Sequence, residues 1–227
     1  MNPNDLLDSD LFCDVSEAGR SEALGAASVR PLAKGATIFT QSQAADRAHF
    51  LLSGRVRIGQ GDADGGQLLV RFIGPGESFG TLGLFTGHHY PADAVAVTDS
   101  MEASWTETAF LSLMERHPQI AINLVRIAGE RLRDTENRLR ELATKRVESR
   151  IAHTLLRFAR KASQTTSDGA VIDFPLSRND LAQMCGAALH TVSRTLTTWE
   201  NAGWISTHRQ RITIRDQARI HRLTERA

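Results

Sequence analysis

Residues 177–205 read Ser-Arg-Asn-Asp-Leu-Ala-Gln-Met-Cys-Gly-Ala-Ala-Leu-His-Thr-Val-Ser-Arg-Thr-Leu-Thr-Thr-Trp-Glu-Asn-Ala-Gly-Trp-Ile, and no other stretch constrains the chain as much. Ser177 stands where an N-cap accepts from exposed amides, and Asp180 follows in the first turn, where a carboxylate meets the positive helix end. Leu181 and Met184 give this first helix an inward face. Gly186 sits at the break, where a left-handed residue ends a helix at little cost. The second helix is expected to bury Leu189, Val192 and Leu196. Those spacings of three and four leave His190, Thr191, Ser193, Arg194 and Thr195 on its other faces. Gly203-Trp204-Ile205-Ser206 then leads to Arg209-Gln210-Arg211-Ile212-Thr213-Ile214-Arg215, which reads as two short strands around a basic tip. Together these segments make a winged helix-turn-helix pattern, and the partner it implies is double-stranded DNA. Two helices at this spacing also occur inside ordinary helical proteins; the basic hairpin beside them sets this segment apart. Arg209 and Arg211 at the tip are expected to touch phosphates beside the groove.

The charge distribution points the same way. The 227 residues carry a net charge of +1, but residues 146–227 hold 13 Lys and Arg against 7 Asp and Glu. The remaining 145 residues hold 14 basic and 19 acidic ones. A basic C-terminal third joined to an acidic N-terminal part suits a DNA reader attached to something that is not one. There is no basic apolar leader and no apolar run near the roughly 18 residues a spanning helix needs, so a cytoplasmic protein that does not enter the membrane is expected. Cys13 and Cys185 lie far apart and make neither a disulfide framework nor a metal-ligand cluster. Cys185, at the helix-turn-helix break, is expected to pack as a small hydrophobe.

Upstream the periodicity changes. Residues 3–24 suggest one or two short helices. From Val29 to Trp105 short strands alternate with turns: Thr37-Ile38-Phe39, Phe50-Leu51-Leu52, Val56-Arg57-Ile58, Leu68 to Ile73, Ala94 to Val97 and Met101 to Trp105. Asp62 to Gly66 reads as a hairpin turn and Gly74-Pro75-Gly76 as another. Strands at this spacing without helices between them argue for an antiparallel sandwich or roll. A long helix follows, starting at Glu107 or Pro118 and running to Ala143. Val125, Ala128, Leu132, Thr135, Leu139 and Leu142 recur every three and four residues on it, an a/d seam flanked by charge. The seam predicts a homodimer, which in turn suits paired recognition helices reading two half-sites. Residues 146–161 form another helix with Val147, Ile151, Leu155 and Phe158 inward, and residues 162–170 read as a polar loop. The expected class is α+β: an antiparallel β-roll sensor domain over 1–115, a dimerisation helix over 116–145 and a winged helix-turn-helix over 146–227.

Roll, long helix and winged segment in that order resemble the Crp/Fnr family of bacterial transcription regulators, over most of the chain. The residues that carry the likeness are Lys34-Gly35, Ile38-Phe39, Phe50 to Arg57, Gly76 to Phe85 and Thr191-Val192-Ser193-Arg194. Tyr90 to Ala96 and Leu189 to Arg194 are also similar to the nitric-oxide-responsive branch that regulates denitrification. The resemblance implies a cyclic-nucleotide-binding-like jelly roll, with an effector pocket around His49, Gly80, Thr81, Leu82, Tyr90 and Pro91. In relatives that bind cyclic AMP a Glu takes the ribose and an Arg-Ser pair holds the phosphate. Here those positions are Thr81 and Pro91-Ala92, so the bidentate phosphate contact is missing and a cyclic nucleotide is disfavoured. An iron–sulfur cluster needs about four thiolates, and Cys13 is the sole cysteine before Cys185. Haem remains as the expected cofactor, with His49, His88, His89 and His117 as the histidines in or near the sensor and nitric oxide as its signal.

The resemblance also implies base contacts at His190, Ser193 and Arg194, with Thr191 and Arg178 on phosphates. Arg194 matches the family position that grips guanine, whereas His190 stands where relatives carry Glu. A TTG…CAA palindrome is the expected target, and RNA polymerase the expected partner if the protein activates. Two other classes remain to be weighed: a small-molecule-binding module without DNA function, which the basic winged segment disfavours, and an enzyme. No Gly-x-Ser-x-Gly, His-Glu-x-x-His, P-loop or dinucleotide-binding context occurs in the chain.

Overall fold

The computed structural model describes residues 9–61, 67–161 and 163–225. Two compact units divide the chain between Arg133 and Asp134. In the first, helix α1 (Glu17–Gly25) is followed by strands β1 (Ser28–Leu32), β2 (Thr37–Phe39), β3 (Arg47–Ser53), β4 (Val56–Gly61), β5 (Gln67–Ile73), β6 (Ser78–Phe79), β7 (Asp93–Ala96) and β8 (Ser100–Thr106). They form two four-stranded sheets ordered β1-β8-β3-β6 and β2-β7-β4-β5, in which every neighbouring pair runs antiparallel. Alternation drives the pairing: β7 buries Ala94 and Ala96 while Asp93 and Val95 stay partly exposed. Phe12, Phe39, Phe50, Phe79, Tyr90, Trp105 and Phe110 share one core. The Trp105 indole donates to the Ala23 carbonyl at 2.7 Å, which ties α1 to the roll. The expected turn at 62–66 and the start of the N-terminal helical stretch, residues 3–8, lie outside the described residues.

The stretch from Glu107 is two helices, not one. Helix α2 (Glu107–Arg116) is capped by Thr106, whose hydroxyl accepts from the Ala109 amide at 3.3 Å. It stops at His117, with φ −128° and ψ 76°, because a residue before proline is driven out of the helical region. Pro118 then opens helix α3 (Pro118–Thr144), where its missing amide hydrogen costs nothing. One face of α3 buries Ile120, Asn123, Leu124 and Ile127. The Asn123 amide donates to the carbonyls of Leu11 and Cys13 at 2.9 and 2.7 Å. A different face is bare. Val125, Leu132, Leu139 and Leu142 are 73, 60, 66 and 44% exposed, with Ala128 half-buried and Thr135 exposed between them.

The second unit contains α4 (Val147–Lys161), β9 (Ser163–Thr166), β10 (Gly169–Ile172), α5 (Arg178–Cys185), α6 (Leu189–Asn201), β11 (Ile205–His208), β12 (Arg211–Ile214) and α7 (Gln217–Thr224). The polar loop expected over 162–170 is instead a hairpin, β9–β10, which joins the wing in a sheet ordered β11-β12-β10-β9. Within it β9 and β10 pair with each other over four positions, and β10 also pairs with β12, with Ala170 opposite Ile214, so a segment far along the chain completes the sheet. On α4, Ile151, Ala152, Leu155, Leu156 and Ala159 are buried. Val147 and Phe158, also expected inward, are half-buried, and Phe158 meets Phe174 edge-on with centroids 5.3 Å apart. Cys185 is buried among these elements as expected. Among the described residues no helix is long and apolar enough to cross a membrane.

Gly169 is held at φ +124°, and a Cβ there would lie 2.1 Å from the Ile214 carbonyl oxygen. Both strain and overlap forbid a side chain at this crossing. Gly169→Ala is expected to cost about 2–4 kcal/mol in urea unfolding; a loss below about 0.5 kcal/mol would show that the β10–β12 contact yields freely.

Candidate nucleic-acid interface

The local chemistry of α5 is that of a capping box. The Ser177 hydroxyl accepts from the Asp180 amide at 3.0 Å, and the Asp180 carboxylate accepts from the Ser177 amide at 2.9 Å. The helix ends at Gly186, at φ 56° and ψ 48°, the left-handed geometry the sequence anticipates. Helix α6 follows at once and buries Val192, Leu196 and Trp199 completely. Trp199 also donates through its indole to Glu148 on α4 at 3.1 Å. This anchorage turns His190 and Arg194 to solvent, with Thr191, Ser193 and Thr195 half-buried beside them.

Leu189 departs from the expected pattern. Its spacing puts it with Val192 and Leu196 on the buried face, yet it is 48% exposed. As the first residue of α6 it precedes the turn that packs on α5, so its helical phase finds no neighbour to cover it. Ala188 caps α6 without a side-chain hydrogen bond, which leaves the amide-rich helix end facing outward beside an apolar side chain.

The wing is a two-residue hairpin, with His208 paired to Arg211. Arg209 and Gln210 both take positive φ, 48° and 63°, where glycine and asparagine are the usual occupants. The Leu176 amide donates to the Gln210 carbonyl at 2.7 Å, pinning the tip next to the start of α5. Arg209 and Arg211 are exposed. Arg178 is half-buried, and its guanidinium runs to α6 rather than outward.

In the roll the residues expected to line a pocket pack on one another. Phe39 and Tyr90 stack with centroids 3.8 Å apart, and Phe79 stacks on His49 at 5.2 Å. Gly80 lies under this cluster: a Cβ there would come 2.9 Å from the His49 ring and 3.1 Å from both Phe39 and Tyr90. Thr81 is fully buried, Leu82 and Pro91 are exposed. His49 is 3% exposed. Its Nδ1 donates to Glu102 at 3.1 Å, since a carboxylate only accepts, and its Nε2 faces the Tyr90 hydroxyl at 3.2 Å. The Tyr90 hydroxyl gives its single hydrogen to the Arg47 carbonyl at 3.0 Å, which leaves its oxygen to accept from Nε2. Glu102, wholly buried, receives a second charge-assisted bond from Arg30 at 2.5 Å. Both ring nitrogens of His49 are therefore engaged, and the residue does not fit the role of a haem ligand. His88 and His89 lie exposed on the loop, and His117 Nε2 is bonded to Glu22 at 2.7 Å.

Burial pushes the Glu102 carboxyl up, but the hydrogen bond and charge of His49, with Arg30 behind them, outweigh it and hold the group below its ordinary 4.5. A depressed carboxylate stabilises the fold fully above its ordinary pKa and loses that contribution as pH falls through the lower, folded value. Glu102→Gln is expected to destabilise by about 3 kcal/mol at neutral pH. The gap between variant and wild type should shrink as unfolding is measured at successively lower pH below 4.5; a gap that stays constant with pH would remove Glu102 from the acid response.

A cyclic nucleotide-binding domain model matches residues 29–117, and a Crp-like helix-turn-helix domain model matches residues 149–223. The chain is 30% identical over 189 residues to a CRP-like cAMP-activated global transcriptional regulator of Mycobacterium tuberculosis, covering 83% of this chain and 84% of that protein. It is 30% identical over 203 residues to the nitrogen fixation regulation protein FixK of Azorhizobium caulinodans, covering 88% and 80%. The solved structure of FixK2 from Bradyrhizobium japonicum superposes with a TM-score of 0.78 at 25% identity, over 88% of this chain and 98% of that one. With a roll, a long helix and a winged helix-turn-helix in that order, the chain belongs to the Crp/Fnr family of DNA-binding transcription regulators.

Proposed function

We propose that this regulator binds DNA as a homodimer and reads a TTG…CAA-type palindrome through α6. The observation that carries the reading is the exposed edge of α6, where His190 and Arg194 stand clear of a helix anchored by three fully buried side chains. Arg194 grips guanine O6 and N7 through its planar fork, and Ser193 contacts a neighbouring base. His190 donates to a purine N7 or to phosphate, where a carboxylate would accept from cytosine. Leu189, exposed at the leading end, offers an apolar contact to a thymine methyl. Thr191, Arg209 and Arg211 meet phosphates on either side. The bare stripe of Val125, Ala128, Leu132, Thr135, Leu139 and Leu142 supports dimerisation. Its Val125, Leu132, Leu139 and Leu142 are apolar, helical in period and exposed, and a twofold copy of itself is the complement such a seam needs. If the protein activates, RNA polymerase is its further partner. The cytoplasm is the compartment in which such a reader meets its DNA.

The effector of the roll is a separate matter. Nitric oxide acting through haem would need a histidine with a nitrogen to spare, and the engaged ring of His49 gives that reading no support. A cyclic nucleotide would meet Thr81 and Pro91-Ala92 in place of the Glu and Arg-Ser of cAMP-binding relatives. Whatever its chemistry, an effector works here by favouring one arrangement of the dimer over another.

Arg194→Ala is expected to weaken the specific site by about 1–3 kcal/mol and to flatten preference at the contacted guanine, read by fluorescence anisotropy across single-base variants of the palindrome. An equal loss on every duplex would mean that Arg194 holds only phosphate. Leu132→Arg with Leu139→Arg should yield monomers in sedimentation and abolish cooperative binding to the two half-sites; a double variant that remains dimeric would place the interface elsewhere.

A further inference from the structure

Arg178, the first residue of α5, stands where a phosphate contact is expected, yet its guanidinium lies along the protein. Nη1 donates to the Ser193 carbonyl at 3.4 Å and to the Thr197 hydroxyl at 3.3 Å. Nη2 lies 3.2 Å from Glu200 Oε2. All three acceptors belong to α6, and positions 193, 197 and 200 fall on one face over two turns. A single side chain thus ties the start of one helix to the length of the next. Its carbonyl acceptor belongs to Ser193, a residue of the proposed base-reading set.

Apolar packing leaves something for this tie to do. Val192, Leu196 and Trp199 set the rotation of α6 about its axis, but burial is non-directional and resists a small slide along that axis only weakly. A guanidinium fork has fixed geometry and loses little freedom per hydrogen bond, so it defines the slide. Groove recognition is sensitive to displacements of that size, because base-edge bonds tolerate only a few tenths of an ångström. The charge of Arg178 is also matched inside the protein by Glu200, both side chains being more than half covered, at 37 and 25% exposure.

We propose that Arg178 and Glu200 are positioning residues for the recognition helix, acting through the Ser193 backbone, and that Arg178 is not a phosphate anchor. The proposal rests on the reading of α6 as the base-contacting helix. It gives specificity to a carboxylate that never touches DNA.

The test measures wild type, Arg178→Ala, Glu200→Ala, Glu200→Gln and the Arg178→Ala/Glu200→Ala double variant. Each is titrated with the palindromic duplex and with a scrambled duplex over a range of salt. For a brace, the specific-to-scrambled affinity ratio falls about fivefold in Arg178→Ala and in Glu200→Ala. It falls no further in the double variant. Glu200→Gln, which keeps an acceptor, restores most of the ratio, and the salt slope of Arg178→Ala matches wild type. Two results overturn the proposal. One is an equal loss on both duplexes in Arg178→Ala with a slope smaller by about 1. The other is tighter binding to both duplexes in Glu200→Ala, as expected if the carboxylate merely restrains a phosphate ligand. A DNA-free measurement stands beside these. Hydrogen exchange over residues 196–201 should quicken in both single alanine variants relative to wild type, and unchanged exchange rejects the brace. Wild type that fails to prefer the palindrome would reject the function proposed above, and the exchange data would still decide the brace.

Discussion

Burial of Val192, Leu196 and Trp199 is the interaction on which the presentation of α6 depends. Each is fully inaccessible, and together they occupy one stripe of α6, so the opposite stripe is presented by geometry alone. Trp199 adds a directional bond to Glu148, which links the recognition helix to α4 as well as to α5. The wing is tied into the same body through the Leu176 amide and the Gln210 carbonyl. Exposed cationic and hydroxyl side chains are common on protein surfaces. A site arises here because the helix that carries them has no freedom to turn them elsewhere.

The roll follows another logic. Its interior is crowded by its own rings, with His49 seated among Phe39, Phe79 and Tyr90 and bonded to a wholly buried carboxylate. Placing charge in such a core costs several kcal/mol unless every acceptor is matched. Arg30 and His49 together supply the matching for Glu102. Glu102 is the shared member: removing it strips the buried His49 of its carboxylate partner, whereas Arg30, half exposed, can turn to water. A buried polar network satisfied in this way rigidifies the core around it.

Much of this was legible in the residues. The capping box at Ser177 and Asp180, the left-handed break at Gly186 and the buried thiol of Cys185 all follow from local rules acting within a few positions. The strands between Val29 and Trp105 follow from period-two alternation and turn residues. The failures are long-range in cause. Helical spacing assigned Leu189 to the core, yet a helix's first residue needs a neighbour beyond the helix to cover it, and none is there. Residues 163–172 carry no strand signal strong enough to read; β9 and β10 pair with each other, and β12, far along the chain, joins the hairpin to the wing. For Arg178, expected on phosphate, the partners Ser193, Thr197 and Glu200 come together only when α5 packs on α6, and this is what the bracing role proposed above rests on.

The chain's linear pattern was enough to establish the order of its parts, a roll, a long helix and a winged DNA reader, since amphipathic period, capping residues and charge segregation are properties of neighbours along a polymer. It was also enough to name Arg194 and His190 as outward residues of α6. Whether a given polar group is free to meet a ligand was settled elsewhere. That depends on which groups from distant segments lie within about 3 Å of it; His49 bonds Glu102 at 3.1 Å and Arg178 lies 3.2 Å from Glu200. Side-chain chemistry can be read from residue type, but availability is a property of three-dimensional neighbours.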